Sequence, residues 1–316
     1  MYFPYLRGRQ FELLALRELA VNDLLGDYVV PIIEPVKLSP TLIKTIAEYA
    51  RVKHSIAIIR NPIVGSFMKD MKDAEDDPKA SVKKREFQQL YSDPVIIKSI
   101  IMQKNAAALM EYWNKADIEK KDLLVINNSR DFLDVYGQLF TDVNPCYVLI
   151  PDESAFRRRV KRNRVILDDK FEKQIRNADY QDAEDEPFSD DHLYFEADGL
   201  KGFSDYSVAG SDYQETGFAP YAVAIHIVYF ADDKSLRIKH FVSESNEDIS
   251  NPAKKFYEAV TKLNTWYKAN PFPLTMGLRS LIEHYDLQTY PGLGTVKKLS
   301  VMHHLELMGQ YLSEGK

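Results

Sequence analysis

Cysteine is almost missing from this chain: Cys146 stands alone among 316 residues. That excludes an intrachain disulfide and a cysteine-built metal cluster. With no histidine near it in sequence, the thiol reads as a small buried hydrophobe and not as a nucleophile. Long apolar runs are missing too, and no stretch approaches the ~20 apolar residues of a membrane span. The first residues, MYFPYLRGRQ, lack the apolar core and small-residue cleavage site of a secretory signal. Together these absences make the cytoplasm, away from membranes, the expected compartment. An excess of positive charge is absent as well. Lys and Arg number 41 against 47 Asp and Glu, a formal net charge of -6. An acidic chain has no general attraction for nucleic acid or anionic membrane, so nucleic-acid binding would need a local basic patch. There is no HExxH, P-loop or dinucleotide fingerprint, no internal repeat and no low-complexity tract.

What the chain does have is a series of short apolar runs with polar ends. They are Tyr2 to Leu6, YVVPIIEP ending in Glu34, SIAIIRNP ending in Arg60-Asn61, AAALMEYW, LLVINN, CYVLIPD, RVILDDK and GFSDYSVAG. Each reads as a buried strand. Helical patterns lie between several of them. Gln10 to Leu25 carries an apolar stripe through Leu13, Leu16, Ala20 and Leu24. Ser39-Pro40 forms a cap with proline at the first helical position. Further helices open at Ser129 and Ser154. Apolar strands alternating with helices imply a parallel sheet covered on both faces. The expected fold is therefore α/β, a (β/α)8-type barrel spanning residues 1–316 as one domain, with an open doubly wound sheet as the alternative. A β-hairpin insertion is expected after strand eight, over 221–244, where two β-rich runs flank Asp232-Asp233-Lys234-Ser235. Helices follow over 252–312. Residues 69–93 read as a charged insertion, a solvated loop or frayed helix, with a lid or docking surface as the functional reading. The acidic run from Asp179 to Asp191 reads the same way.

In a parallel barrel the strand ends meet at one mouth, which gathers residues distant in sequence. On that basis Glu34, Asp168 and Asp205 are the candidate acid, base or metal-ligating carboxylates. Arg7, Arg9, Arg60, Asn61, Lys170 and Tyr206 are the candidate substrate-binding residues. Arginines there could grip a phosphate or carboxylate bidentately. The carboxylates could instead hold a divalent cation such as magnesium. A ring of structural salt bridges fits the same residues. Asn127, Asp152 and Asp169 complete the set. Gly202, Gly210 and Gly217 punctuate Asp205, Tyr206, Ser211, Asp212, Tyr213 and Glu215, a stretch with the composition of a ligand loop or of a plain turn. His226 and His240 fall on the two arms of the hairpin and read as structural. His303-His304 sit about 100° apart on a helix, which does not suit a shared metal. Arg157-Arg158-Arg159 and Lys297-Lys298 read as solvated helix faces.

The run Tyr2-Phe3-Pro4-Tyr5-Leu6-Arg7-Gly8-Arg9-Gln10-Phe11-Glu12, with Pro31-Ile32-Ile33-Glu34-Pro35, Gly202-Phe203-Ser204-Asp205-Tyr206 and His303-His304-Leu305, resembles the beta-protein family of bacterial and phage-associated proteins. The resemblance implies a barrel in a bacterial defence or mobile-element module, encoded beside a nuclease-like partner. It carries no activity residue by residue. Three functions stay open. One is a hydrolase or transferase acting on a phosphate-bearing substrate, nucleotide or nucleic acid, at the mouth. The second is a non-catalytic regulatory partner of the nuclease-like protein. The third is a sensor that binds a small anion without turnover. Homo-oligomerisation is open in all three.

Overall fold

The computed structural model describes residues 1–214 and 220–314; Glu215 and Gly217 of the glycine-punctuated stretch lie outside the described residues. Among the described residues there are eleven strands, most of them separated by helices. In chain order they are β1 (Tyr5–Leu6), α1 (Gln10–Val21), β2 (Ile32–Ile33), α2 (Pro40–Val52), β3 (Ile56–Ile59), α3 (Phe67–Asp73), α4 (Pro78–Tyr91), β4 (Ile96–Ile101), α5 (Ala106–Lys115), β5 (Leu124–Ile126), α6 (Leu133–Leu139), β6 (Tyr147–Ile150), α7 (Ser154–Arg159), β7 (Arg164–Leu167), β8 (Asp185–Ser189), α8 (Asp191–Tyr194), β9 (Gly202–Ser204), β10 (Ala224–Phe230), β11 (Leu236–Val242), α9 (Pro252–Ala269), α10 (Met276–Asp286) and α11 (Leu293–Glu314). The chain packs as two compact units. None of the described helices is long and apolar enough to cross a membrane.

The first unit comprises Met1–Leu13, Asp27–Asp168 and Tyr194–Asp205. It holds eight parallel strands in the order β1-β2-β3-β4-β5-β6-β7-β9. A parallel bridge from Tyr2 to Phe203 joins the two edges. Phe3 N–H donates to Phe203 C=O at 2.9 Å and Phe203 N–H to Met1 C=O at 3.1 Å, bringing the sheet round into a nearly closed barrel. The strands are short and mostly buried; all four residues of β3 are 0% exposed. That is why they read as continuous apolar runs and not as alternating ones. Ser39 caps α2 by accepting from Leu42 N–H, with Pro40 in the first turn.

Two expectations are corrected here. AAALMEYW is not a strand but the core of α5, burying Ala106, Met110 and Trp113 at helical spacing while Tyr112 stays exposed. The fourth strand is Ile96–Ile101, where Lys98 and Ser99 interrupt the apolar run. Lys98 keeps its charge satisfied by donating to the carbonyls of Asp93 and Ile96, at 3.1 and 2.9 Å, with its Nζ 5.8 Å from the Tyr91 ring centroid. Residues 69–93, expected as a solvated loop or a frayed helix, are largely regular helix. They form most of α3 and α4, and α4 packs on α2 and β4 as a helical layer of the barrel. Phe67, Met71, Phe87 and Tyr91 carry that packing.

The second unit comprises Leu14–Gly26, Asp169–Leu193 and Tyr206–Lys316. The expected hairpin is there as β10 and β11, with His226 paired opposite His240. The acidic run before it supplies a third strand, β8, giving an antiparallel sheet in the order β10-β11-β8. Arg237 draws Asp185 into that sheet through an ion pair at 2.7 Å. Helix α11 packs on α10 and β10, and α9 on both arms of the hairpin. The α10–α11 crossing is close because Gly277 has no side chain; a Cβ there would stand 2.3 Å from Leu299 O.

Candidate functional site

The two-residue period of a strand decides which polar side chains enter the barrel. Tyr5 lies beside Ile32 and Ile32 beside Ala57. Further round, Ile59 lies beside Ser99, Ser99 beside Leu124 and Leu124 beside Tyr147. The Phe3 and Tyr147 rings meet at 4.7 Å although their strands are not neighbours, so this face is the barrel interior. Two residues on from these positions, Arg7, Glu34 and Asn61 are inward at the mouth. Arg60, Asn127, Asp152, Asp168 and Asp205 have the opposite parity. Contacts agree with that division. Arg60 reaches the Met68 sulfur on α3 at 3.7 Å. Asp205 accepts from Tyr2 Oη at 2.7 Å, and Tyr2 stacks on the outward Phe203 ring.

The inward cluster is built around Glu34, which is 0% exposed. A buried carboxylate must be bonded on both oxygens. Glu34 Oε2 accepts from Tyr5 Oη at 2.7 Å and from Arg7 Nη1, and Oε1 accepts from Ile63 N–H at 2.8 Å. Arg7 lies against the Tyr5 ring, its Cζ 5.4 Å from the centroid, and keeps 12% of its side chain exposed. Gly8 makes this geometry possible. Its φ of +62° is left-handed, and a Cβ would sit 3.1 Å from Glu34 O. Arg9 N–H donates to Glu12 Oε2 at 3.2 Å, so the Arg-Gly-Arg…Glu segment closes the turn into α1. Asn61 staples the next strands, its amide exchanging hydrogen bonds with Ile101 N–H and C=O at 2.9 and 2.8 Å.

The remaining sequence candidates lie elsewhere. Asp168 is exposed at the end of β7, and Asp205 is buried against Tyr2. Burial, with the Asp205 carboxylate beside it, pushes the Tyr2 hydroxyl well above its ordinary pKa, so it remains a donor. Among the described residues no group of three or more His, Cys, Asp or Glu is arranged to hold a metal ion. Glu34, Asp168 and Asp205 therefore do not form a joint cation site. Asn127 is 0% exposed, and neither side-chain polar atom has a hydrogen-bond partner among the described residues. Arg157 pairs with Asp152 at the surface. Burial pushes the Cys146 thiol up to about 12, which removes it as a nucleophile. Tyr2, Tyr5 and the Ile63 amide were not foreseen as partners of the carboxylates; counting the strand period to the strand ends would have found the two tyrosines.

Lys170 and Tyr206 belong to the second unit. Lys170 pairs with Asp191 at 3.0 Å, and Tyr206 is buried. Asp169 Oδ2 accepts from Ser211 N–H at 2.7 Å. Three polar clusters stand out in this unit. Ser207, with a left-handed φ of +51°, brings its hydroxyl 3.0 Å from His304 Nδ1. This looks like a nucleophile and its base, but burial and the neighbouring imidazoles of His303 and His192 push His304 down to about 3. A general base must become a cation, and this environment opposes that. The pair ties the Ser207 turn to α11. His226 and His240 meet through their Nδ1 atoms at 2.6 Å, and His240 Nε2 lies 3.1 Å from Glu186. The Tyr180 ring packs against both, and burial pushes both imidazoles down. Between β11 and α9 lies an open groove of about 700 Å³, with Lys239, Lys262 and Trp266 in its lining. Both ammonium groups already pair there, with Glu184 at 2.8 Å and Glu244 at 2.6 Å.

Compared with protein-family models and with curated proteins, the chain matches none.

Proposed function

We propose that the barrel mouth is a binding site for a small phosphate-bearing anion, with Arg7 as the grip and Glu34 as the residue that positions it. The observation that carries this reading is the fully buried Glu34. It fixes the guanidinium of Arg7, whose side chain is 12% exposed, at the inward rim of a parallel barrel. Orienting a charged donor from behind through a second buried group is how a binding site is preorganised. Binding without turnover is the better-supported form. Glu34 and Asp205 already accept hydrogen bonds from protein donors, so a hydrolase or transferase using either as base would first have to break them.

Thermal-shift titration with inorganic phosphate, nucleoside monophosphates and nucleoside triphosphates tests the proposal. A true ligand at 100 times its Kd stabilises the fold by about 2.7 kcal/mol. Arg7→Lys keeps a cation beside Glu34 and loses the planar fork. It should weaken that ligand at least about tenfold, the scale of a lost charge-assisted hydrogen bond. No shift with any of these anions, or an equal shift in Arg7→Lys, refutes it.

A further inference from the structure

The charge deficit of the whole chain hides one strongly basic segment. From Ser154 to Leu167 the sequence is SAFRRRVKRNRVIL, with six cations and no carboxylate. It runs through α7, turns at the N-terminal ends of the barrel strands and enters β7. Arg157, Arg158, Arg159, Lys161 and Arg162 are all exposed, and Arg164 is half-exposed. Carboxylates from outside the segment neutralise only two of them: Asp152 pairs with Arg157, and Asp134 pairs with Arg159 at 2.9 Å. Arg158, Lys161, Arg162 and Arg164 have no ion pair among the described residues. Lys201 joins them, since its N–H donates to Arg164 C=O at 2.7 Å and its side chain is exposed.

We infer that this segment, with Lys201, is a nucleic-acid backbone contact that runs down α7 to the turn at the end of the barrel opposite the mouth, independent of the anion site proposed at the mouth. Its chemistry selects the partner. Five of the six cations in the segment are arginines, whose planar fork suits phosphate oxygens. The apolar residues here, Phe156 and Val160, are 1% exposed, so no apolar core is offered to a protein partner and no anchor to a lipid surface. The net charge of -6 does not cancel the patch, because charges more than about 8 Å away are screened at physiological salt. Base-specific contact is not part of the inference; the binding is sequence-independent.

The test is fluorescence anisotropy of the full chain with a labelled 30-base-pair DNA duplex of random sequence, repeated from 50 to 200 mM salt. Five phosphate contacts make Kd rise about 500-fold over that range. The double variant Arg158→Glu/Arg162→Glu should bind too weakly to measure at 200 mM salt, with a salt slope reduced by about 2. Lys44→Glu/Lys69→Glu, the same charge change on exposed residues elsewhere, should bind as the wild type does. Equal weakening by both double variants would show a net-charge effect and overturn the inference. So would the absence of binding at 50 mM salt, or tighter binding to polyglutamate or to phosphatidylserine vesicles than to the duplex. Unchanged circular dichroism of the Arg158/Arg162 variant separates lost binding from lost folding.

Discussion

Acid should unfold the second unit through two adjacent histidines. His303 Nε2 donates to Val228 C=O at 2.7 Å, and its Nδ1 meets Thr275 Oγ1 at 2.7 Å. Both are 0% exposed with His304 beside them. Burial pushes His303 down to about 4 and His304 to about 3, from an ordinary value of 6.5. A folded pKa below the unfolded one means that the unfolded chain binds the proton first. The stability is thus complete above about pH 6.5 and is lost as the pH falls, until about pH 4 for His303 and about pH 3 for His304. At pH 5 each unfolded imidazole gains about 2 kcal/mol from protonation while the buried one gains almost none. Together that is about 4 kcal/mol, a large part of the roughly 5–15 kcal/mol typical of a domain. The two tryptophans separate the units: Trp113 lies in α5 of the barrel and Trp266 in α9. In a Trp113→Phe background, Trp266 fluorescence in urea reads the second unit alone. Its midpoint should fall sharply between pH 7 and pH 5. His304→Asn, which keeps a polar group near Ser207, should be less stable at pH 7 but lose about 2 kcal/mol less over that interval. An identical pH dependence in wild type and His304→Asn would refute the reasoning.

Three further outcomes follow from the first unit and the helix crossing. Glu34→Ala leaves Arg7, Tyr5 Oη and Ile63 N–H without their acceptor and should cost about 3–5 kcal/mol, read as a shift of the urea midpoint; a cost under 1 kcal/mol would mean water replaces the carboxylate freely. Gly8→Ala must hold a left-handed φ with its Cβ against Glu34 O. It should destabilise by about 1–3 kcal/mol and weaken anion binding at the mouth, measured in the same titration. Gly277→Ala forces α10 away from Leu299 O, and should lower the urea midpoint reported by Trp266 fluorescence, because the clash lies in the second unit.

Much of this barrel was legible in the chain. Ile56–Ile59, Leu124–Ile126 and residues 148–150 are buried on both faces, so their burial is written locally as unbroken apolar runs. Ser39-Pro40 marks a helix start, because a capping side chain answers to the backbone beside it. The missing signals were those in which tertiary packing overrides composition. Lys98 sits in a strand because neighbouring carbonyls and the face of the Tyr91 ring take its charge. AAALMEYW is apolar enough for a strand, yet its burial falls at every third or fourth residue. The acidic Asp185–Ser189 run became a strand because β11 offered it an edge and Arg237 a countercharge.

The site divides the same way. Composition placed Arg7, Glu34, Arg60, Asn61, Asp168 and Asp205 at strand ends, and that much the sequence determined by itself. Which of them share a face depends on inter-strand register, and only the closed sheet sets that register. It brings Tyr5, Arg7 and Glu34 into one bonded cluster from strands 29 residues apart, and gives Asp205 to Tyr2 across 203 residues. No local pattern records such separations, because hydrogen bonds between distant strands form only once the chain has folded back on itself.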